Sequence, residues 1–181
     1  IREGDRVLLS GSAGCHGAAV MMARAGLVRT DSAKSGNALV SDCAPLTKLS
    51  AAALASGTIR LMRDPTRGGV ATTLNEFVEN GPFCIELTEA AIPVDPPVAA
   101  ACDLLGLDPL YCACEGRMLA VVDSKDADRV LDALRSTPGG EQAACIGVVT
   151  RSRPGCVLVT TRLGGRRLLP KLSGLQLPRI C

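Results

Sequence analysis

The sequence predicts an α+β domain in which a mixed or antiparallel sheet packs with helices. Strand-like and helix-like apolar patterns mix along the 181 residues without the regular alternation that a parallel sheet requires. Hairpin signals gather near the C-terminal end. Apolar residues make up 47% of the chain and aromatic residues 2%, so we expect a globular core built from Ala, Val and Leu.

The N-terminal third predicts one strand and two helices separated by a loop. Residues 6–10 read as a short buried strand, and a glycine-containing turn joins it to a helix over 18–25 that ends at Gly26. The polar, mixed composition of residues 30–44 predicts a loop. A further helix follows and stops near Gly57.

The middle of the chain predicts two helices around a strand. Apolar side chains recur at helical spacing over residues 70–78, after a segment, 64–66, that offers a capping side chain. Residues 83–88 alternate apolar and polar, which is typical of a strand with one buried face. Val98, Ala101 and Cys102 then share one face of a helix that stops at Gly106.

The last third predicts three strands, a helix and a tail. Residues 118–122 form a continuous apolar strand, and the helix after it turns Val130 and Leu134 inward. Strands follow over 143–149 and 156–161, and the second turns at two glycines into a hairpin. Residues 170–181 contain prolines and no periodicity, so we expect an extended, mobile tail.

Composition argues against several classes of protein. A net charge of +2 and the absence of Trp disfavour nucleic-acid binding. No charged-then-apolar leader and no apolar run near the roughly 20 residues of a membrane span are present, so we expect a soluble protein. Nine scattered cysteines fit free thiols in a reducing cytoplasm. Because the chain begins at Ile1, just before a strand, we interpret it as a fragment.

The segment 10–17 places glycines between the first strand and the first helix. Gly11, Gly14 and Gly17 do not match the G-x-G-x-x-G spacing of a nucleotide loop, and no G-K-[S/T] follows. A tight strand-to-helix turn is therefore favoured over a phosphate loop.

The only histidine, His16, lies beside Cys15, and Cys112 and Cys114 are further soft ligands. A tetrahedral zinc site could use such side chains, but the spacings do not match known fingers. We therefore expect buried free thiols and no metal site.

The segment 62–69 brings a hydroxyl, a guanidinium and two glycines to the start of a helix. Exposed backbone N–H groups and the helix dipole favour an anion there, and Arg67 can add a charge-assisted contact. The alternative is a Thr66 cap with Arg67 solvated or paired to Asp64. The residues leave these two interpretations open.

Glu115 stands just before the predicted strand 118–122, where a carboxylate could be partly buried. Burial would make it a more useful general base, and Gly116 would leave room for a ligand. A carboxylate in such a position is more often structural, so Glu115 alone assigns no function.

Cys181 is the last residue of the tail. A thiol at a chain terminus can enter a distant site, accept a group and leave again, but composition alone favours an incidental exposed thiol. Prenylation is excluded because that signal needs three residues after the cysteine.

Six segments of the chain form an ordered set. They are Ser10-Gly11 with His16-Gly17, residues 41–46 (SDCAPL), residues 62–69 (MRDPTRGG), Leu74-Asn75-Glu76, Glu115-Gly116-Arg117 and residues 178–181 (PRIC). In order and spacing they resemble the HypE family of nickel-iron hydrogenase maturation factors, over the whole chain. The resemblance implies a PurM-like C-terminal domain over 1–169, a mobile tail over 170–181, and an absent N-terminal ATP-binding and dimerisation domain.

The resemblance also implies a chemical reaction. In HypE-like proteins the carbamoyltransferase HypF loads the terminal cysteine, here Cys181, to give an S-carboxamide. The tail folds back into the ATP site, where ATP phosphorylates the carboxamide oxygen, a base removes the nitrogen protons, and loss of phosphate leaves a thiocyanate. Cyanide then passes to iron held by the HypC–HypD scaffold complex, as a ligand for the hydrogenase.

The resemblance also implies roles for residues. Cys181 would carry the substrate, Glu115 would be the base, and the four residues of a loop would line the cleft near phosphate: Thr66, Arg67, Gly68 and Gly69. ATP and Mg²⁺ are the implied cofactors, bound mainly by the absent domain, which would also form a homodimer. We therefore expect an ATP-dependent protein-S-carboxamide dehydratase, inactive as this chain alone.

Two positions depart from the family. Cys15 stands where HypE-like sequences usually have aspartate before His-Gly, and Cys114 stands where asparagine is common before Glu-Gly. A thiol hydrogen-bonds more weakly than either group, so polar contacts there would be weakened. Alternative functions are a non-catalytic docking and carrier module, and another PurM-like ATP-dependent synthetase, against which the PRIC terminus counts.

Overall fold

The computed structural model describes residues 1–27 and 39–173. The strands in this part of the chain are β1 (Arg6–Leu9), β2 (Ile59–Arg63), β3 (Cys84–Thr88), β4 (Leu119–Val122), β5 (Ala144–Thr150), β6 (Val157–Thr160) and β7 (Arg166–Leu168). The helices are α1 (Cys15–Arg24), α2 (Thr47–Ser56), α3 (Gly69–Val78), α4 (Pro96–Leu105) and α5 (Ala127–Arg135). Two short 3₁₀ helices span Glu89–Ala91 and Pro109–Tyr111. None of these helices is long and apolar enough to cross a membrane.

The predicted elements are confirmed, with boundary shifts of a few residues, and one strand was missed. That strand, β2, has the sequence IRLMR, lies at one edge of the sheet and contains no fully buried residue. Part of the predicted loop 30–44 and most of the predicted tail, including Cys181, lie outside the described residues.

The seven strands form one mixed sheet. Their order is β2-β4-β1-β5-β3-β6-β7, and neighbours pair antiparallel except β3 and β6, which run parallel. The predicted C-terminal hairpin is β6–β7, in which Leu158 lies opposite Leu168. The sequence predicts a mixed or antiparallel sheet, and the observed sheet is mixed.

Helices cover both faces of the sheet at its centre. On β1, Val7 and Leu9 point to the face that α3 covers, and Leu8 points to the face that α2 and α5 cover. All three side chains are fully buried. Because successive strand residues point to opposite faces, a continuous apolar run is what a strand covered on both sides requires.

A third cluster joins α1, α4 and the chain before β4. Cys15 and Ala18 of α1 pack with Val98 and Cys102 of α4, and Cys112 closes the cluster. This cluster holds the turn after β1 against the segment that leads into β4. Glu115 lies on that segment.

Helix α3 begins at a tight turn that presses on the same segment. Gly69 has a positive φ of 61°, and a Cβ placed on it would stand 2.6 Å from the carbonyl oxygens of both Leu110 and Cys112. Real side chains do not come so close to backbone, so only glycine lets α3 start here. The start of α3 and the chain before Glu115 are therefore fixed against each other.

We predict that Gly69→Ala destabilises the protein far more than Gly106→Ala does. Both glycines have positive φ, but a Cβ on Gly106 meets nothing within 4 Å. The free energy of unfolding of the control should therefore fall only by the cost of placing alanine in a left-handed conformation, about 1 kcal/mol. The Gly69 variant should lose a further ~1–3 kcal/mol from overpacking, as measured by urea unfolding. Equal losses would show that the close contact is absent.

Candidate functional site

The turn between β1 and α1 is held by hydroxyl groups. Ser10 Oγ accepts the backbone N–H of Met118 at 2.9 Å, and Ser12 Oγ accepts that of Asp95 at 2.8 Å. Gly14, with a positive φ of 78°, precedes the first residue of α1. These groups are engaged within the protein, which confirms a tight strand-to-helix turn.

The cysteines around this turn are buried thiols. Cys114 Sγ accepts a hydrogen bond from the Gly14 N–H at 3.1 Å, and Cys15 Sγ lies 3.9 Å from Asp95 Oδ2. Burial raises the pKa of Cys114 to about 12 and also raises the pKa of Cys15. Both thiols therefore stay protonated at neutral pH and are poor nucleophiles. The two departures from the family pattern keep weak hydrogen bonds.

The described residues contain no group of three or more His, Cys, Asp or Glu arranged to hold a metal ion. His16 is used differently: its Nδ1 lies 2.9 Å from Ser41 Oγ. Within residues 1–27 and 39–173 all eight cysteines are free, as the sequence predicts for a reduced protein.

The loop before α3 does not have the predicted cap. The residue that precedes the helix is Gly68, with φ of 72°, and no side chain caps the helix. A Cβ on Gly68 would stand 2.1 Å from Thr72 Oγ1, so the first turn of α3 occupies the space that the glycine leaves. The Thr66 cap is therefore wrong, because left-handed Gly68 turns the chain into the helix in its place.

Arg67 is exposed beside this turn and, among the described residues, makes no hydrogen bond or ion pair. The alternative prediction of an Arg67–Asp64 pair is not observed. Arg67 instead lines an open cavity of about 570 Å³, and the other lining residues are Arg63, Thr66, Gly68, Thr72, Glu76, Lys171 and Leu172. Three cationic side chains thus border one cavity.

Lys171 and Leu172, near the start of the predicted C-terminal tail, line this cavity. Thr72 Oγ1 accepts the N–H of Leu172 at 3.3 Å, and Lys171 Nζ pairs with Glu79 at 3.1 Å and with Glu76 at 3.4 Å. One residue earlier, the hydroxyl of Tyr111 donates to the carbonyl of Pro170 at 2.9 Å. The tail therefore leaves the domain beside Arg67.

Glu115 lies next to the same loop on the other side. The Cys114 N–H donates to the carbonyl of Pro65 at 3.0 Å. Glu115 and Thr66 each directly follow one of the two residues that this hydrogen bond joins. Glu115 is half-buried, and its Oε1 is buried without a hydrogen-bond partner in the described part of the chain. It does not belong to the described lining of the 570 Å³ cavity.

The sequence suggested that Gly116 leaves room for a ligand, but the structure shows no such room. A Cβ there would stand 1.7 Å from the carbonyl oxygen of Asp42 and 3.0 Å from the Ala44 nitrogen. The space is filled by the protein's own segment 42–44. The carboxylate of Asp42 also accepts the Glu115 N–H at 3.2 Å.

Four of the six predicted site residues, Thr66, Arg67, Gly68 and Gly69, lie together at the start of α3. Glu115 lies on a separate segment, which contacts this loop through the hydrogen bond from Cys114 to Pro65. Cys181 lies outside the described residues. Sequence reasoning gave no role to Asp42, Arg117 or Lys171. Asp42 and Arg117 do stand in the motifs SDCAPL and EGR, so their place in those motifs was the available signal.

Comparisons with known proteins show the family to which the chain belongs. The family model described as AIR synthase related protein, C-terminal domain, matches residues 2–159. The carbamoyl dehydratase HypE of Azotobacter vinelandii is 48% identical over 182 residues, which cover 99% of this chain and 51% of that protein. The chain therefore spans about half the length of the curated relatives it matches.

Solved structures give the same result. A hydrogenase maturation protein HypE in complex with ATP is 42% identical, with a TM-score of 0.88, over 99% of this chain and 53% of that one. HypE in a HypE–HypF complex is 37% identical, with a TM-score of 0.84, over 93% and 53%. The predicted PurM-like fold is confirmed, and the chain belongs to the HypE family of hydrogenase maturation proteins.

Proposed function

We propose that this chain is the C-terminal part of an ATP-dependent dehydratase that converts an S-carboxamide on Cys181 into a thiocyanate, the source of cyanide ligands for hydrogenase. The observation that carries the proposal is the position of Glu115. Its buried Oε1 has no hydrogen-bond partner among the described residues, and the segment that carries it contacts the loop of Arg67 through the Cys114–Pro65 hydrogen bond. The segment of the proposed base is therefore next to the loop of the proposed anion-binding group.

The reaction needs those two groups together. The carboxamide oxygen attacks the γ-phosphorus of ATP, ADP leaves, and the oxygen becomes part of a good leaving group. Glu115 removes one nitrogen proton, the departing phosphate takes the other, and breakage of the C–O bond then gives the thiocyanate and inorganic phosphate. Glu115 accepts a nitrogen proton, because a carboxylate oxygen without a partner is free to accept one.

The residues around the cavity fit ATP phosphate. Arg67, Arg63 and Lys171 supply positive charge, and the Thr66–Gly68 turn precedes the N-terminus of a ten-residue helix. Arg63 and Lys171 are paired with Glu76, whereas Arg67 has no partner among the described residues. Arg67 can therefore contact a phosphate without breaking an ion pair within the described residues. Mg²⁺ would be bound by the N-terminal domain that completes the enzyme.

The tail is long enough to deliver its thiol. Nine residues follow Leu172, and an extended chain spans about 3.3–3.6 Å per residue, so Cys181 can reach roughly 30 Å from the cavity wall. The segment that carries Glu115 contacts the loop before α3, and that loop lines the same cavity as Leu172. The thiol can therefore also be presented outside the domain, where a partner enzyme loads it.

The partners follow from this cycle. We expect loading by HypF, delivery to the HypC–HypD scaffold, and a homodimer formed through the N-terminal domain, all in the cytoplasm. The HypE–HypF crystal structure supports the first of these by likeness. The chain alone, without that domain, would be inactive.

We predict that Cys181→Ser abolishes carbamoylation of the full-length protein. Incubation with the carbamoyltransferase, carbamoyl phosphate and ATP should add one carboxamide to the wild-type Cys181 peptide, which then loses one water, as mass spectrometry can follow. Cys43→Ser is the matched control, since Cys43 is the exposed thiol of the described residues, and it should behave as wild type. Label on any cysteine other than Cys181 would refute the proposal.

We predict that Glu115→Gln stops the reaction after loading. The amide cannot accept the nitrogen proton, so the carboxamide form should accumulate and dehydration should slow by roughly 10²- to 10⁴-fold. Glu3→Gln, at an exposed surface carboxylate, serves as the control. Dehydration by Glu115→Gln at the rate of this control would exclude Glu115 as the base.

We predict that Arg67→Ala weakens ATP binding. Loss of one charge-assisted contact to phosphate should raise the apparent KM for ATP by about 10-fold, measured in the full-length protein already loaded on Cys181. Arg153→Ala removes an equally exposed arginine away from the cavity and should leave this KM unchanged. An unchanged KM for Arg67→Ala would place the phosphate elsewhere.

A further inference from the structure

Backbone N–H groups of the segment that carries Glu115 donate three hydrogen bonds. The Cys114 N–H donates to Pro65 at 3.0 Å before it, and the Met118 N–H donates to Ser10 Oγ at 2.9 Å after it. Between them, the Glu115 N–H donates to Asp42 Oδ1 at 3.2 Å. The third contact is the only one made by a charged side chain, and it acts on the Glu115 peptide itself.

The carboxylate of Asp42 is in an unusual environment for a charged group. Its side chain is 1% exposed, and its Oδ2 has no hydrogen-bond partner within the described ranges. The counter-charge is Arg117, whose Nε lies 3.7 Å from Oδ2 and also lacks a hydrogen-bond partner there. Burial of a charge is costly unless it is paired, so Arg117 offsets the buried charge of Asp42.

Both members of the pair are fixed by contacts that a larger residue would prevent. A Cβ on Gly11 would stand 2.9 Å from Arg117 Nε, so the guanidinium lies flat on that glycine. Arg117 Nη1 donates to the carbonyl of Gly139 at 3.1 Å. Gly116 lets the backbone of Asp42 approach the Glu115 segment, and Ser41 Oγ accepts the Cys43 N–H at 3.2 Å.

We propose that Asp42, with Arg117 as its counter-ion, is a positioning residue for Glu115: it fixes the peptide of the base so that the free Oε1 faces the incoming carboxamide nitrogen. Asp42 acts through Glu115, by accepting the N–H of its peptide. This inference rests on the proposed function of Glu115. It assigns a role to the SDCAPL and EGR motifs, which meet through this one hydrogen bond and ion pair.

The test compares two substitutions of Asp42 in the full-length protein. Asp42→Asn keeps an oxygen that can accept the Glu115 N–H but removes the charge, and Asp42→Ala removes both. Because a misplaced base costs about 10²-fold, kcat for dehydration should fall roughly 100-fold in Asp42→Ala and roughly 10-fold in Asp42→Asn. Loading of Cys181 and the apparent KM for ATP should remain unchanged in both variants.

The control is Asp128→Asn, which changes an exposed aspartate on α5 and should have no effect on either step. If kcat in both Asp42 variants equals the wild-type value, the inference is overturned. Dehydration by the wild-type enzyme would in that case still support the proposed function of Glu115. Failure of the wild-type protein itself to dehydrate would contradict the proposed function instead. If Asp42→Ala does not fold, the nearly isosteric Asn variant decides, and an unchanged kcat there overturns the inference.

Discussion

The contact between Gly69 and the carbonyl oxygens of Leu110 and Cys112 is the constraint on which the site depends. It exists because Gly69 has no side chain and adopts a left-handed backbone conformation. The start of α3 therefore lies directly on the chain that leads to Glu115. Since this chain continues into β4, a fully buried strand between β2 and β1, the base and the Arg67 loop are held by the core rather than by surface contacts.

The fold could be predicted largely from the sequence, because burial on both faces of a sheet leaves a clear pattern. Val7, Leu8 and Leu9 form a continuous apolar run since α3 covers one face of β1 and α2 and α5 cover the other. The strand that was missed, β2, gives no such run. Its Arg60 pairs with Asp5 and Asp123 at the sheet edge, and ion pairs between distant residues leave no local periodicity.

The site was only partly predictable, because glycines were assigned to ligand access. Gly116 faces the backbone of Asp42, whereas Gly68 lines the open cavity although a Cβ on it would meet Thr72. A sequence shows that small residues are needed but not what fills the space beside them. Asp42 was hidden for a related reason: it lies 73 positions from Glu115 in the chain, and only the fold brings the two into contact.

The account's central claim is that the carrier thiol and Glu115 meet in one site. The most direct test is a crystal structure of the full-length Glu115→Gln protein, carbamoylated on Cys181 and bound to a non-hydrolysable ATP analogue. The account predicts the carboxamide nitrogen within about 3 Å of the residue 115 side chain, as proton transfer requires, and the γ-phosphate beside Arg67. A Cys181 carboxamide bound away from residue 115 with the nucleotide in place would contradict it.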